Sequence, residues 1–337
     1  MKNTIIIAEA GVNHNGSIKL AKKLIDIATN SGADYVKFQT FKSNLVFSKN
    51  TPKAEYQKKN TPKKMTALQM GKKLELSEEE HLKLMKYCKL KKIGYLTTFH
   101  DIESLKTYKK FKLDYIKIGS GDINNLPYLE KVSKIRKKII LSTGLSDLND
   151  INIAVQILTK NIKKRIKNIT ILHCNSAYPT PIKDVNLNVL HTIKKKFKTE
   201  IGLSDHTQGI EISLAAVSMG ATIIEKHFTL NKKLPGPDHK ASLSPNELKQ
   251  MISYIRNIDI AKGINKKKPT LSELKNKKVV RKSIVAIKSI EKGEKFTNLN
   301  ISVKRPSTGI SPLKFNKLIG KKSSKNYLLD DLINERI

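Results

Sequence analysis

The feature that most constrains this chain is a rhythm. Eight short apolar runs, at 5–8, 35–38, 95–98, 115–118, 139–141, 170–173, 201–203 and 222–225, recur with helical patterns between them. The runs are continuous rather than alternating, as in strands of a parallel sheet buried on both faces. Ser17 precedes a periodic stretch, Leu20, Ala21, Leu24, Ile25 and Ala28, that stops at Gly32; this suits an N-cap and a glycine stop. Ser77 with Glu80 forms a capping box for a helix running toward Cys88, and Ser244 with Glu247 forms another for a helix over 245–261. The stretches 147–158, 186–197 and 210–219 also read as helices. Eight strands alternating with helices over about 260 residues predict an α/β fold of the (β/α)8 TIM-barrel type. An open doubly wound sheet competes, but no glycine-rich phosphate loop follows the first run.

The stretch 41–77 carries Pro52, Pro62 and many lysines, and a βα loop of that length reads as functional. The barrel is expected at 1–262 as the catalytic domain, and a lysine-rich linker at 263–278. A small β-rich module follows at 279–337, with strands over 279–287 and 301–303 and a turn over 291–294.

Composition matters for one decision. A net charge of +36 raises the possibility of a nucleic-acid partner. Here lysine is scattered along helices and loops, tryptophan is absent and aromatic residues are 6%. We read a solvated compositional bias whose field attracts anionic substrates, and expect no nucleic-acid partner. No apolar run reaches the roughly 18 residues of a membrane span, so no membrane partner is expected. The apolar patch at the start is too short for a signal peptide, which predicts a cytoplasmic protein. Cys88 and Cys174 are too few for a disulfide framework and read as small buried hydrophobes.

In a barrel of this kind, catalytic groups stand at the C-terminal ends of the strands. The residues there are Glu9, His14, Lys37, Gln39, Thr98, Lys117, Ser120, Ser142, His173, Ser176, Tyr178, Ser204, His206, Glu225 and His227. Lys37, Lys117, Ser120, Ser142 and Ser204 combine cations with short hydroxyls, the means of holding a phosphate and a carboxylate. His206 and His227 end adjacent strands and together suit one divalent ion with open positions for water and substrate oxygens. Glu9 is a candidate acid/base or an orienter of a sugar hydroxyl. His14 reads equally well as a loop-stabilising residue.

These segments resemble the N-acetylneuraminate (sialic acid) synthase family, bacterial type. They are Ala-Glu-Ala-Gly-Val-Asn-His-Asn-Gly at 8–16, Val-Lys-Phe-Gln-Thr at 36–40, Ile-Lys-Ile-Gly-Ser-Gly at 116–121 and Ile-Leu-Ser-Thr-Gly at 140–144. Further along stand Leu-His-Cys-Asn at 172–175, Tyr-Pro-Thr-Pro at 178–181, Gly-Leu-Ser-Asp-His at 202–206, Glu-Lys-His-Phe-Thr at 225–229 and Pro-Gly-Pro-Asp at 235–238. Val-Lys-Arg-Pro at 303–306 with Gly-Ile-Ser-Pro at 309–312 resembles that family's antifreeze-like (SAF) domain.

The resemblance implies a transferase that condenses phosphoenolpyruvate with an N-acetylated mannose-type sugar and releases phosphate. His206 and His227 would hold a divalent metal, Mn²⁺ first, with Mg²⁺ or Co²⁺ as alternatives. Lys37, Thr98, Lys117, Ser120, Asp122, Ser142, Ser176 and Ser204 would bind phosphoenolpyruvate. Glu9, Gln39, Asn60, Tyr178 and Asp238 would face the sugar. Arg305 would reach into a partner's barrel in a domain-swapped homodimer.

Four departures stand out. Asp122 replaces the usual Glu, and Thr97-Thr-Phe-His100 replaces Ser-Thr-Pro-Phe. Ser176 replaces Asn or Thr, and Ser307-Thr-Gly309 replaces Gly-Asn-Gly. The first reading is an N-acetylneuraminate synthase using N-acetylmannosamine. A legionaminic or pseudaminic acid synthase using a diacetamido-trideoxy hexose stands second. More distant are a Schiff-base aldolase using Lys37 or Lys117 and a basic nucleic-acid-binding protein.

Overall fold

A computed structural model describes residues 3–161 and 165–336. The chain divides into two compact units, Met1–Gly263 and Ile264–Ile337. The first is a closed barrel of eight parallel strands in sequential order. They are β1 (Ile5–Gly11), β2 (Tyr35–Thr40), β3 (Gly94–Phe99), β4 (Tyr115–Ile118), β5 (Lys138–Ser142), β6 (Ile169–Cys174), β7 (Glu200–Asp205) and β8 (Ile223–His227). Each begins within one residue of the apolar run that predicts it and extends up to three residues past it. The expected helices form at Ile18–Asn30, Glu78–Lys91, Leu148–Thr159, Val189–Phe197, Glu211–Ser218 and Pro245–Ala261. Ser77 and Ser244 accept from the backbone N–H of Glu80 and Glu247, as the capping boxes predict.

Strand side chains alternate between two apolar environments. One set, including Ile6, Ala8, Val36, Phe38, Ile116, Ile139, Leu141, Ile171 and Leu203, packs against the helices. The other set, Ile7, Leu96, Tyr115, Ile140, Leu172 and Ile223, forms a separate cluster that plugs the barrel interior. Gly202 belongs to this inner layer. A Cβ there would come within 2.4 Å of Ile223 O and 2.5 Å of Leu172 Cδ2, so only glycine fits.

The stretch 41–77 is not a bare loop. It folds into short helices at Ser43–Val46, Glu55–Asn60 and Ala67–Leu74. Thr66 and Gln69 cap the last of these reciprocally. Its apolar face packs Met70 and Leu74 against Val12 and Phe41.

In the second unit, β9 (Ser283–Ala286) pairs antiparallel with β10 (Ile301–Lys304). Around them lies a small core of Ile284, Ala286, Ile290, Phe296, Ile301, Leu318, Tyr327 and Ile333. The linker differs from expectation, because Thr270 and Glu273 form a capping box that starts a helix over Leu271–Val280. The strand expected from residue 279 therefore begins only at Ser283. No helix among the described residues is long and apolar enough to cross a membrane.

One polar device on the outside of the barrel holds two strand ends in place. Asp205 of β7 and Lys226 of β8 pair at 2.9 Å, both about 1% exposed. Asp205 also accepts from Thr207 N, Thr207 Oγ1 and Ser213 Oγ at 2.7–2.9 Å. Lys226 donates to Thr207 O at 2.7 Å. Burial holds the Lys226 amine below its usual pKa, with Asp205 opposing. Asp205→Ala leaves a buried ammonium without its counter-charge, and we predict a loss of about 3–5 kcal/mol in urea unfolding. A loss under about 1 kcal/mol, the ordinary size for an exposed pair, would show that the pair is not a fastener.

Candidate active site

Two residues past the apolar plug, the same inward face turns polar. Glu9 follows Ile7, Lys37 follows Tyr35, Thr98 follows Leu96 and Lys117 follows Tyr115. Ser142 follows Ile140, Cys174 follows Leu172, Ser204 follows Gly202 and Glu225 follows Ile223. These eight residues, with Gln39, His100, Ser120, Ser176, Tyr178, His206 and His227, line a cavity of about 180 Å³.

The charges are interlocked. Lys37 Nζ lies 2.8 Å from Glu9 Oε2 and 3.8 Å from Glu225 Oε2, and donates to Thr98 Oγ1 at 3.0 Å. Lys117 Nζ lies 3.5 Å from Glu225 Oε1 and donates to Ser142 Oγ at 2.8 Å. Ser204 donates to Glu225 Oε1 at 3.1 Å. All four charged groups are at most 4% exposed.

Burial pushes the Glu9 carboxyl up to about 7, with Lys37 opposing and Glu225 adding to the rise. Burial acts against the Glu225 carboxylate too, but Lys117 and Lys37 outweigh it and hold its pKa low. Burial also disfavours the Lys37 ammonium, yet Glu225 and Glu9 outweigh it and keep the amine charged. Lys117 is lowered by burial, which Glu225 only partly offsets. Two amines against one firmly ionised carboxylate leave the pocket attractive to an anion.

The imidazoles of His206 and His227 face each other, with ring centroids 5.3 Å apart. Tyr178 stacks on His206 at 4.0 Å and meets His227 edge-on at 5.5 Å. His206 Nδ1 lies 2.6 Å from Asn175 O, so the ring donates there and turns its Nε2 lone pair inward, with Ser204 Oγ 3.5 Å from it. A backbone carbonyl fixing one ring nitrogen is the usual support of a metal-binding histidine. His227 Nδ1 is buried without a hydrogen-bond partner, an orphan a cation would satisfy. Burial holds the His227 ring well below its usual pKa, and the neighbouring cations add to this, so it is neutral. For His206, burial acts the same way, but Cys174, Asn175 O and Glu225 outweigh it and raise the pKa. The donor set fits a divalent ion. Among the described residues no cluster of three or more His, Cys, Asp or Glu forms a metal cage, so water and substrate oxygens would fill the remaining positions.

A second cavity of about 160 Å³ adjoins the first and shares Gln39, His100, Tyr178 and His227 with it. Its wall is largely apolar: Val12, Phe41, Val46, Phe47, Met70 and Leu74, joined by Tyr56, Gln57, Pro237 and Asp238. Most of that wall comes from the 41–77 stretch. Burial pushes the Asp238 carboxyl up to about 6, with His206 opposing.

The barrel thus brings together twelve of the site residues expected from sequence in one cavity and Asp238 in its neighbour. Three lie elsewhere. Asn60 donates to Pro237 O at 2.9 Å and so ties one loop of the second cavity to another. Asp122 is buried, with an oxygen 3.5 Å from His100 Nδ1. Arg305 is exposed just past β10, in the second unit. His14 is loop-stabilising, accepting from Gly16 N at 3.0 Å, and burial pushes its pKa down to about 4. Cys88 and Cys174 are free and buried, but Cys174 also faces the cavity.

Sequence reasoning gave His100 and Tyr56 no place in the site, and put Glu225 at the right strand end without a role. For Glu225 the signal was present: it stands two residues before His227, and so on the same strand face.

Comparison with known proteins agrees with this geometry. The NeuB family model matches residues 24–267 and the SAF domain model matches 281–328. The chain is 52% identical over 335 residues to the N,N'-diacetyllegionaminic acid synthase of Campylobacter jejuni, covering 99% of this chain and 100% of that one. It is 41% identical to the N,N'-diacetyllegionaminic acid synthase of Legionella pneumophila, covering 95% and 90%. The crystal structure of the N-acetylneuraminic acid synthetase of Leptospira borgpetersenii superposes with a TM-score of 0.73 at 35% identity, covering 82% and 90%. The chain therefore belongs to the NeuB family: it is a phosphoenolpyruvate-dependent enzyme that forms a carbon–carbon bond to an amino sugar, and it carries a C-terminal SAF domain.

Proposed function

We propose that this enzyme is an N,N'-diacetyllegionaminic acid synthase, joining phosphoenolpyruvate to a diacetamido-trideoxy hexose. Sequence motifs placed N-acetylmannosamine first and this sugar second; two nearly full-length relatives, at 52% and 41% identity, favour the reverse order. The observation that carries the reading is the apolar wall of the second cavity. A trideoxy sugar exchanges hydroxyls for a methyl and a second acetamido group. Its added apolar surface gains on leaving water, while a hydroxyl against Val12, Phe41 or Met70 would lose its hydrogen bonds.

In the polar cavity, Lys37 and Lys117 hold the carboxylate and phosphate of phosphoenolpyruvate, with Thr98, Ser120, Ser142, Ser176 and Ser204 as short donors. His206 and His227 would hold a divalent ion, Mn²⁺ fitting such a nitrogen and oxygen set. When bound, that ion supplies Lewis-acid polarisation of the sugar aldehyde. Glu9 reaches the boundary of both cavities through Gln39, whose amide donates to it at 3.3 Å. With its carboxyl near 7, Glu9 is half protonated at neutral pH and can give a proton to the aldehyde oxygen as C3 of phosphoenolpyruvate attacks. Asp238 and Tyr178 orient the sugar. Arg305, from a second copy of the chain, contacts an acetamido group through its planar donors. The protein works as a homodimer whose sites are completed by exchange of the SAF domain.

The assay is phosphate release from phosphoenolpyruvate with Mn²⁺ and a panel of N-acetylated sugars. The diacetamido-trideoxy hexose is expected to exceed N-acetylmannosamine by about tenfold or more in kcat/KM, the effect of one or two well-placed apolar contacts. The opposite ranking would return the assignment to an N-acetylneuraminate synthase.

The raised pKa of Glu9 gives a pH prediction. The acid form is present below about 7 and is lost as pH rises through that value. Turnover should therefore fall on the alkaline side of neutrality, and Glu9→Gln should lower kcat by about 10²–10⁴ below about pH 7 and remove that alkaline fall. A Gln variant with wild-type turnover would remove Glu9 from proton transfer.

A further inference from the structure

His100, at the end of β3, belongs to both cavities. The two spaces share only a few side chains, so a group there faces the point where the two substrates meet. Gln39 is engaged with Glu9. Tyr178 and His227 belong to the aromatic cluster around His206. His100 is set apart from that cluster. Its ring lies edge-on to Phe41 at 6.3 Å. Its Nδ1 faces Asp122 Oδ2 at 3.5 Å, and Asp122 Oδ1 accepts from Asn125 Nδ2 at 3.1 Å. Such a pair is often this loose before substrate binds. A carboxylate beside Nδ1 favours the tautomer that carries its proton there. Nε2 then presents a lone pair, and it makes no hydrogen bond among the described residues. At 29% exposure the side chain is open enough for water to reach it.

Resting on the condensation assigned above, we propose that His100 accepts the proton of the water that adds to C2 of phosphoenolpyruvate, and that Asp122 positions its ring. As C3 bonds to the aldehyde carbon, C2 becomes an oxocarbenium centre. Water bonds to C2 through oxygen, one O–H bond breaks, and that proton passes to Nε2. The tetrahedral centre then collapses: the new hydroxyl becomes the keto group and sheds its proton to solvent, and the C2–O bond to phosphate breaks. The imidazolium returns its proton to the departing phosphate, and the neutral ring is restored. No oxidant, reductant or further reactant is needed.

The test is steady-state kinetics of the full-length protein with phosphoenolpyruvate, the preferred sugar and Mn²⁺, with and without added imidazole. His100→Ala should lower kcat about a hundredfold while both KM values stay within about threefold. Free imidazole should restore turnover saturably by filling the vacated space. His100→Phe keeps the aromatic packing on Phe41 without the base; it should show the same loss and no rescue. Asp122→Asn should lower kcat less, again without rescue. Either His100 variant turning over at the wild-type rate, or an impaired His100→Ala that imidazole leaves unchanged, would overturn the proposal. Wild-type turnover in the same assay reports on the condensing function itself, so the two readings fail separately.

Discussion

The rest of the structure depends on a two-residue step along the barrel strands. Ile7, Leu96, Ile140, Leu172 and Ile223 close the interior with hydrocarbon. One step further on the same faces stand Glu9, Thr98, Ser142, Cys174 and Glu225, with Lys37 and Lys117 beside them. The plug keeps water from entering below, so the charges above it act in a poorly screened space. Buried amines survive there because Glu9 and Glu225 sit between them, at 2.8–3.8 Å. An anionic substrate supplies the remaining counter-charge. The site is thus built to be satisfied by its ligand, and a carboxyl as compressed as Glu9 is ready to exchange its proton when that ligand arrives.

The same economy governs the neighbouring cavity. A barrel end is polar by default, because strand ends and loops expose backbone. An apolar wall there has to be added, and the 41–77 stretch adds most of it. Loops that change without disturbing the barrel are where a family of this fold varies its substrate. The relatives of this chain are, by their names, synthases of N,N'-diacetyllegionaminic acid, N-acetylneuraminate 9-phosphate and pseudaminic acid.

Much of this was legible in the sequence. The apolar runs locate all eight strands because burial on both faces leaves no room for polar interruption. Reading the last residues of each run and those after it finds Lys37, Lys117, His206 and His227, since a barrel sends its strand ends to one rim. What was not legible depends on contacts across strands and between loops. Asn60 is positioned near the sugar cavity, but its amide holds Pro237 O. Asp122 reads as a substrate ligand, and its carboxylate lies 3.5 Å from His100 Nδ1 on the neighbouring strand end. The helices within 41–77 were masked by Pro52, Pro62 and lysine, which read as loop. The linker helix was hidden by the same lysine bias, although its capping residues, Thr270 and Glu273, were in plain view.

In the proposed mechanism the substrates join through C3 of phosphoenolpyruvate and its C2–O bond then breaks. The most direct measurement uses phosphoenolpyruvate carrying a heavy-oxygen label in the bridge between C2 and phosphorus. Mass spectrometry of the products then locates the label. Recovery in the inorganic phosphate is predicted, because water attacks carbon. Retention in the sugar acid would mean that water attacks phosphorus, and would contradict the account.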